Sequence, residues 1–175
     1  MANVKHYGAG LKNGTIRLAD SEEYDIGAIV SAEGDPQVDD VQISGDDEVK
    51  ATFLSNRRED LTIVANALSF DVIQAITGNT YNSSDDGLEV ALGTESEDNP
   101  PFIEVKADTT AKDDDGTAVT IYKTWHKVQI TSVKVAQSQG SEFSLEMTGV
   151  AYQTSLDIVG AALASKRIAT IEVDY

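Results

Sequence analysis

The feature that most restricts this chain is the two-residue alternation of apolar and polar side chains, broken at short intervals by turn-forming residues. It is cleanest at Phe143, Leu145 and Met147, separated by Ser144 and Glu146, and it recurs at Val41 and Ile43, at Val49, Ala51 and Phe53, and at Ala169, Ile171 and Val173. A period of two is that of a strand with one face buried and the other solvated, so most of the chain is expected in antiparallel sheet. Lys12-Asn13-Gly14-Thr15 reads as a hairpin turn, because Asn and Gly tolerate positive φ. A second hairpin is expected to turn at Gly45-Asp46-Asp47, joining strands 38–44 and 48–54. In the long stretch Val119, Ile121, Trp125, Val128, Ile130, Val133 and Val135 the apolar positions change parity near Thr131 and Ser132, which predicts a bulge or a break there.

Only one segment carries a full set of helix signals. Ser69 stands as N-cap and Asp71 falls in the first turn. Phe70, Ile73 and Ile76 share a face, and Gly78-Asn79 supplies a left-handed stop. Residues 156–164, preceded by Ser155 and closed by Lys166 and Arg167, read as a second short helix. The 79–117 segment, rich in turn residues and with two short strands expected at 88–92 and 102–105, reads as an extended loop or hairpin on a single domain spanning 1–175. The fold class expected is mainly β, a two-sheet sandwich or barrel-like form with one flanking helix.

At 175 residues the chain suits one domain, and its lack of cysteine removes disulfides, thiolate metal sites and thiol nucleophiles. Its net charge of −17 argues against a surface that holds nucleic acid by neutralising phosphates. The acid is uneven. Residues 20–48 hold no base, and residues 79–116 hold only Lys106 and Lys112 among many carboxylates, whereas the rest is nearly balanced. Such windows suit either solvated loops or a functional negative surface. No run approaches the roughly 18 apolar residues of a membrane span, and the first residues show no apolar stretch of signal-peptide length, so the expectation is a protein made in the cytoplasm with no membrane insertion.

Chemistry-bearing motifs are weak. His6 and His126 are the two histidines, and neither stands in a triad-like pattern. Asp113-Asp114-Asp115-Gly116 lacks the alternate ligands and closing Glu of a calcium loop and reads as a turn, and Gly8-Ala9-Gly10 lacks the context of a phosphate loop. Tyr122 and Trp125 would form either a sugar-stacking platform or, as alternating strand residues usually do, part of a core or interface. No catalytic residue, metal ligand or cofactor is expected, although no pair of carboxylates is excluded from meeting in the fold.

The order of elements resembles the major tail tube proteins of long, non-contractile-tailed bacteriophages. The resemblance is carried by His6-Tyr7-Gly8-Ala9-Gly10-Leu11-Lys12-Asn13, by the run from Leu61-Thr62-Ile63-Val64 through Phe70-Asp71-Val72-Ile73 to Gly78-Asn79, and by the late strand pair around 127–135 and 143–148. It implies a non-enzymatic virion protein whose copies close into hexameric rings. The stacked rings would form the tail tube, assembled in the host cytoplasm and passing double-stranded DNA without binding it. Tape-measure and tail terminator proteins are the implied partners. An acidic bore would repel the polyanion, and alternation offers Asp40, Gln42, Glu48 and Lys50 as lumen-facing. Lys5, Lys12, Arg57 and Arg58 are the basic candidates for contacts between subunits. A carbohydrate-binding sandwich, with an exposed platform at Trp125, and a small hydrolase, with two close carboxylates in a cleft, remain the alternatives.

Overall fold

The structure, a computed structural model, describes residues 7–45, 48–66, 69–79, 81–84, 87–90, 99–113, 115–136 and 143–174. Among the described residues twelve strands and one helix follow in order: β1 (Tyr7–Arg17), β2 (Glu23–Gly27), β3 (Ile29–Gly45), β4 (Glu48–Ala65), α1 (Phe70–Thr77), β5 (Tyr81–Ser84), β6 (Gly87–Val90), β7 (Phe102–Lys112), β8 (Ala118–Ala136), β9 (Ser144–Tyr152), β10 (Thr154–Leu156), β11 (Ala162–Arg167) and β12 (Ala169–Asp174). The main sheet is antiparallel and runs β2-β1-β7-β8-β9-β4-β3, with β12 paired to β8 beside the β9 segment. The fold is therefore mainly β with one helix, as the alternation requires.

One apolar cluster collects residues from both terminal strands and from those between. Ile16, Ile26 and Ile29 meet Leu61, Ile63, Val105, Trp125, Val128, Leu145 and Met147, with Val72, Ile73 and Ile76 from the helix. For the first and last strands to share a core, the sheet must curl on itself, which gives a sandwich-like form. No ladder among the described residues joins β2 to β3, so the curl is not a closed barrel. Each of the largest buried side chains contributes roughly 1.5–3 kcal/mol by leaving water.

The helix forms as expected. Ser69 Oγ accepts from the Val72 N–H at 3.4 Å, and Gly78, left-handed at φ 74°, donates its N–H to Gln74 at 2.9 Å. The parity change in β8 is also present. Between Ile130 and Ser132 the ladder to β9 shifts by one residue at Thr131. A second shift, between Trp125 and Val128 against β7, inserts an extra residue at His126-Lys127 and makes Trp125 and His126 both buried.

Three expectations are corrected. Asn13-Gly14 does not turn: β1 runs through it. Gly14 lies in the strand because a Cβ there would collide with Ile29, and its φ is not positive. Residues 156–164 are not helical. They belong to the β10–β11 hairpin, whose turn is held by Asp157 Oδ1 accepting from the Ala161 N–H at 2.7 Å and by Gly160 at φ 90°. Within 79–117, residues 102–112 form no loop: β7 sits between β1 and β8 with Ile103, Val105, Ala107 and Ala111 buried. Residues 81–84 and 87–90 do pair as a hairpin, while residues 91–98 lie outside the described residues. The Asp113 region is a turn, as read: Asp113 Oδ1 accepts from the Asp115 and Thr117 N–H groups at 3.1 and 2.7 Å.

The β3–β4 hairpin is longer than the two strands read from alternation, and its two halves differ. Residues 58–65 of β4 lie between β3 and β9, whereas among the described residues 48–56 pair with β3 alone. A register shift between Gln37 and Asp39 leaves Val38 opposite both Asn56 and Arg57. Such bulges bend a strand and mark where pairing ends. Pro36 is tolerated because β3 is the terminal strand of the sheet. In the same strand Asp35 stands directly across from Asp60, both exposed, and like charges in that relation are destabilising. Asp60→Lys is expected to stabilise the chain by about 0.5 kcal/mol, seen as a raised urea midpoint with an unchanged slope.

Candidate functional site

The structure gathers polar residues in two places. The first is a continuous hydrogen-bonded chain across β1, β7, β8 and β12. Arg17 Nη2 lies 2.6 Å from Glu104 Oε1 and 3.4 Å from Asp157 Oδ2. The other Glu104 oxygen is 3.1 Å from His126 Nδ1, and His126 Nε2 is 2.6 Å from Thr170 Oγ1. A carboxylate held by a guanidinium accepts, so His126 Nδ1 donates to Glu104, and Nε2 and the Thr170 hydroxyl share the second bond. Arg167 Nη1 then donates to Thr170 Oγ1 at 3.4 Å. The alternation along β1 and β7 places Arg17 and Glu104 on the face opposite Ile16, Ile103 and Val105. The network thus lies outside the apolar core, where the β10–β11 hairpin reaches the sheet through Asp157.

A hydroxyl, an imidazole and a carboxylate in this order have the connectivity of a nucleophile, base and orienting acid. The surroundings fit a structural role better. Glu104 has both oxygens engaged, one by a guanidinium. The neighbouring groove of about 480 Å³ is lined by His126, Phe102, Leu156 and Asp157, and Thr170 is not among its lining residues. The network ties the C-terminal hairpin to the sheet. Sequence reading had no signal for it beyond Arg17, Glu104 and His126 themselves, because their partners lie up to 140 residues away.

The second place is a groove of about 400 Å³ lined by Asp39, Arg57, Arg58, Tyr152, Gln153 and Lys166. It forms where β9 stops: Tyr152 is opposite Arg58, and the next residue, Gln153, donates its N–H to the Arg57 carbonyl at 3.3 Å. Arg58 Nη1 is 3.1 Å from both oxygens of Asp39. Arg57 and Lys166 make no ion pair among the described residues. Arg57 and Arg58, picked out as basic contact residues, thus share one site, and Lys166, read as the end of a helix, joins them. Lys5 lies outside the described residues, as does the side chain of Lys12.

Asp40, Gln42, Glu48 and Lys50 all lie in the two-stranded arm, but their side chains are outside the described residues. The ladder pairs Asp40 with Leu54 and Gln42 with Thr52, then shifts so that Ser44 is opposite Val49 and Gly45 opposite Glu48. Lys50 is the extra residue, and the strict alternation that grouped Glu48 with Asp40 is interrupted there.

Trp125 is 1% exposed and belongs to the core cluster, so it offers no sugar platform. Lys123 connects it to the rim of the core, lying 4.2 Å from the centre of the indole ring and 3.0 Å from Glu59 Oε1. No group of three or more potential metal ligands is assembled among the described residues.

On the acidic side, Tyr24 donates its hydroxyl to Glu22 at 2.7 Å. That bond, then burial, then the charges of Glu22, Asp20 and Asp71 push the Tyr24 pKa up to about 12 from 10.0. The folded state holds the phenolic proton more tightly than the unfolded chain does. This contribution to stability is complete below the unfolded pKa and lost as pH rises through the interval to about 12. In an ultraviolet titration Tyr24 is expected to ionise late, towards the upper end of that interval, and Tyr24→Phe is expected to remove that late step. No known family model matches this chain, and no curated protein matches it significantly.

Proposed function

We propose that this chain is a structural subunit that associates with further copies into six-membered rings, stacked as a hollow tube that conducts double-stranded DNA, in the manner of a phage tail tube. The observation that carries the reading is the open edge of the long hairpin. Residues 48–56 of β4 have β3 on one side and no paired strand on the other among the described residues, and β2 and β3 end the main sheet. Unpaired edges invite another chain, and monomeric proteins usually blunt them. A ring satisfies such edges with copies of the same subunit.

The net charge of −17 agrees with a conduit, since a wall that does not neutralise phosphate does not retain the duplex. Tape-measure and terminator proteins are the partners such a tube requires, and the virion tail is its place. Sedimentation and negative-stain microscopy of the purified chain over a range of concentration and salt test this. Rings or tubes of uniform bore are the expected result. A chain that stays monomeric throughout overturns it.

A further inference from the structure

We infer that the groove of Arg57, Arg58 and Lys166 receives the acidic β2 edge of a second copy of this chain, head to tail. The inference deepens the tube reading by naming one contact within it, and it rests on that reading for the existence of an assembly.

The groove concentrates cations on a chain that has only 13 Lys and Arg against 30 Asp and Glu. Arg58 is held by Asp39, and the charges of Arg57 and Lys166 have no carboxylate partner among the described residues. The site also adjoins an open backbone. Beyond the Gln153 N–H bond to the Arg57 carbonyl, the β4 edge has no ladder partner from Asn56 back among the described residues, so the open edge begins beside Arg57. A groove with free cations beside an unpaired strand edge fits an extended acidic segment, whose backbone takes the edge while its side chains meet the cations.

The same chain carries such a segment at the other end of the sheet order. β2 is the terminal strand, paired with β1 along one edge. Asp20, Glu22, Glu23 and Asp25 on and before it are exposed and make no ion pair among the described residues. Glu23 stands opposite Arg17 in the ladder, but the Arg17 guanidinium is turned to Glu104 and Asp157. Lys106, which shares a groove with Glu23 and Asp25, is seated over the Tyr122 ring at 4.0 Å. Because the two surfaces differ, the contact is heterologous, and repetition of it closes a ring or runs on as a filament. A nucleic acid is the less fitting occupant, because the chain's overall negative charge repels it.

Two charge-reversed chains test the contact. One carries Arg57→Glu with Lys166→Glu, and the other carries Glu23→Lys with Asp25→Lys. All four positions are exposed, and circular dichroism confirms that each variant folds. Each alone is expected to need a concentration more than about tenfold higher than wild type to assemble, because like charges then face one another. Mixed in equal amounts they are expected to assemble again, since the acidic groove of the first variant then meets the basic β2 of the second, and the unaltered basic groove of the second meets the unaltered acidic β2 of the first. A variant that assembles alone as wild type does, or a mixture of folded variants that does not assemble, overturns the contact while leaving the tube reading intact. Wild type that never assembles overturns the tube reading itself. Double-stranded DNA or heparin that binds wild type and is released by Arg57→Glu with Lys166→Glu would assign the groove to a polyanion instead.

Discussion

Gly149→Ala is expected to destabilise this protein by roughly 2–3 kcal/mol, at the upper end of what one added methyl costs in a packed interior. Gly149 lies in the middle of β9, across from Leu61 on one side and Ile130 on the other. A Cβ there would stand 2.5 Å from the Gln129 carbonyl oxygen and 3.0 Å from the Ile130 Cα. Both are backbone atoms next to the Thr131 bulge, so relief requires β8 to move and not merely a side chain to rotate. Gly116→Ala is the comparison. There the space is open, and only the left-handed φ of 82° opposes the change, at about 1 kcal/mol. Urea unfolding of the two variants should separate them by more than 1 kcal/mol. Equal midpoints would show that β8 yields at its bulge for no more than the left-handed residue costs.

Glu104→Ala is expected to cost about 2–4 kcal/mol, somewhat below the usual penalty for breaking a buried charged pair because the Arg17 side chain is 26% exposed. Removing the carboxylate leaves His126 Nδ1 without its acceptor and takes the closest partner from Arg17, which retains Asp157 at 3.4 Å. The loss should be visible locally as well. Amide exchange at Ala161 and Gly160, whose N–H groups are bonded within the β10–β11 turn, should quicken if Arg17 no longer anchors Asp157. Thr170→Val is the milder companion. It removes one hydroxyl at the end of the chain and is expected to cost about 1 kcal/mol. A Glu104→Ala chain within 0.5 kcal/mol of wild type would mean that water satisfies these groups and that the hairpin is held by other contacts.

Local chemistry was sufficient for the parts of the fold that depend on neighbours in sequence. The alternation is reproduced in burial at Leu145 and Met147, although Phe143, read with them, is exposed because it precedes the strand, and the Ser69 and Gly78 caps bound the helix where their side chains and φ preferences require. The bulge at Thr131 was legible for the same reason, since a parity change in apolar positions has to be absorbed by an extra residue. Gly14 and Gly160 mark the limit of that reasoning. A glycine is compatible both with positive φ and with close approach, and only the packing of Ile29 against β1 and the bonding of Asp157 to Ala161 decide which is used. Residues 156–164 have the capping residues of a helix, yet they pair as a hairpin because Arg17 and the sheet hold Asp157 from outside.

The two polar sites were beyond local reading altogether. Arg57 and Arg58 were identifiable as cations, but their union with Lys166 depends on where β9 ends against β4. The Glu104–His126–Thr170 chain likewise exists only because the bulge at His126-Lys127 turns a ring that strict alternation would have placed elsewhere. Residue order alone sets where α1 begins and ends, that most of the chain alternates as strand, and that acid dominates the charge. The tertiary structure alone decided which charges meet, because strand order and bulge position are set by packing between residues far apart in the chain, and no local pattern encodes that distance.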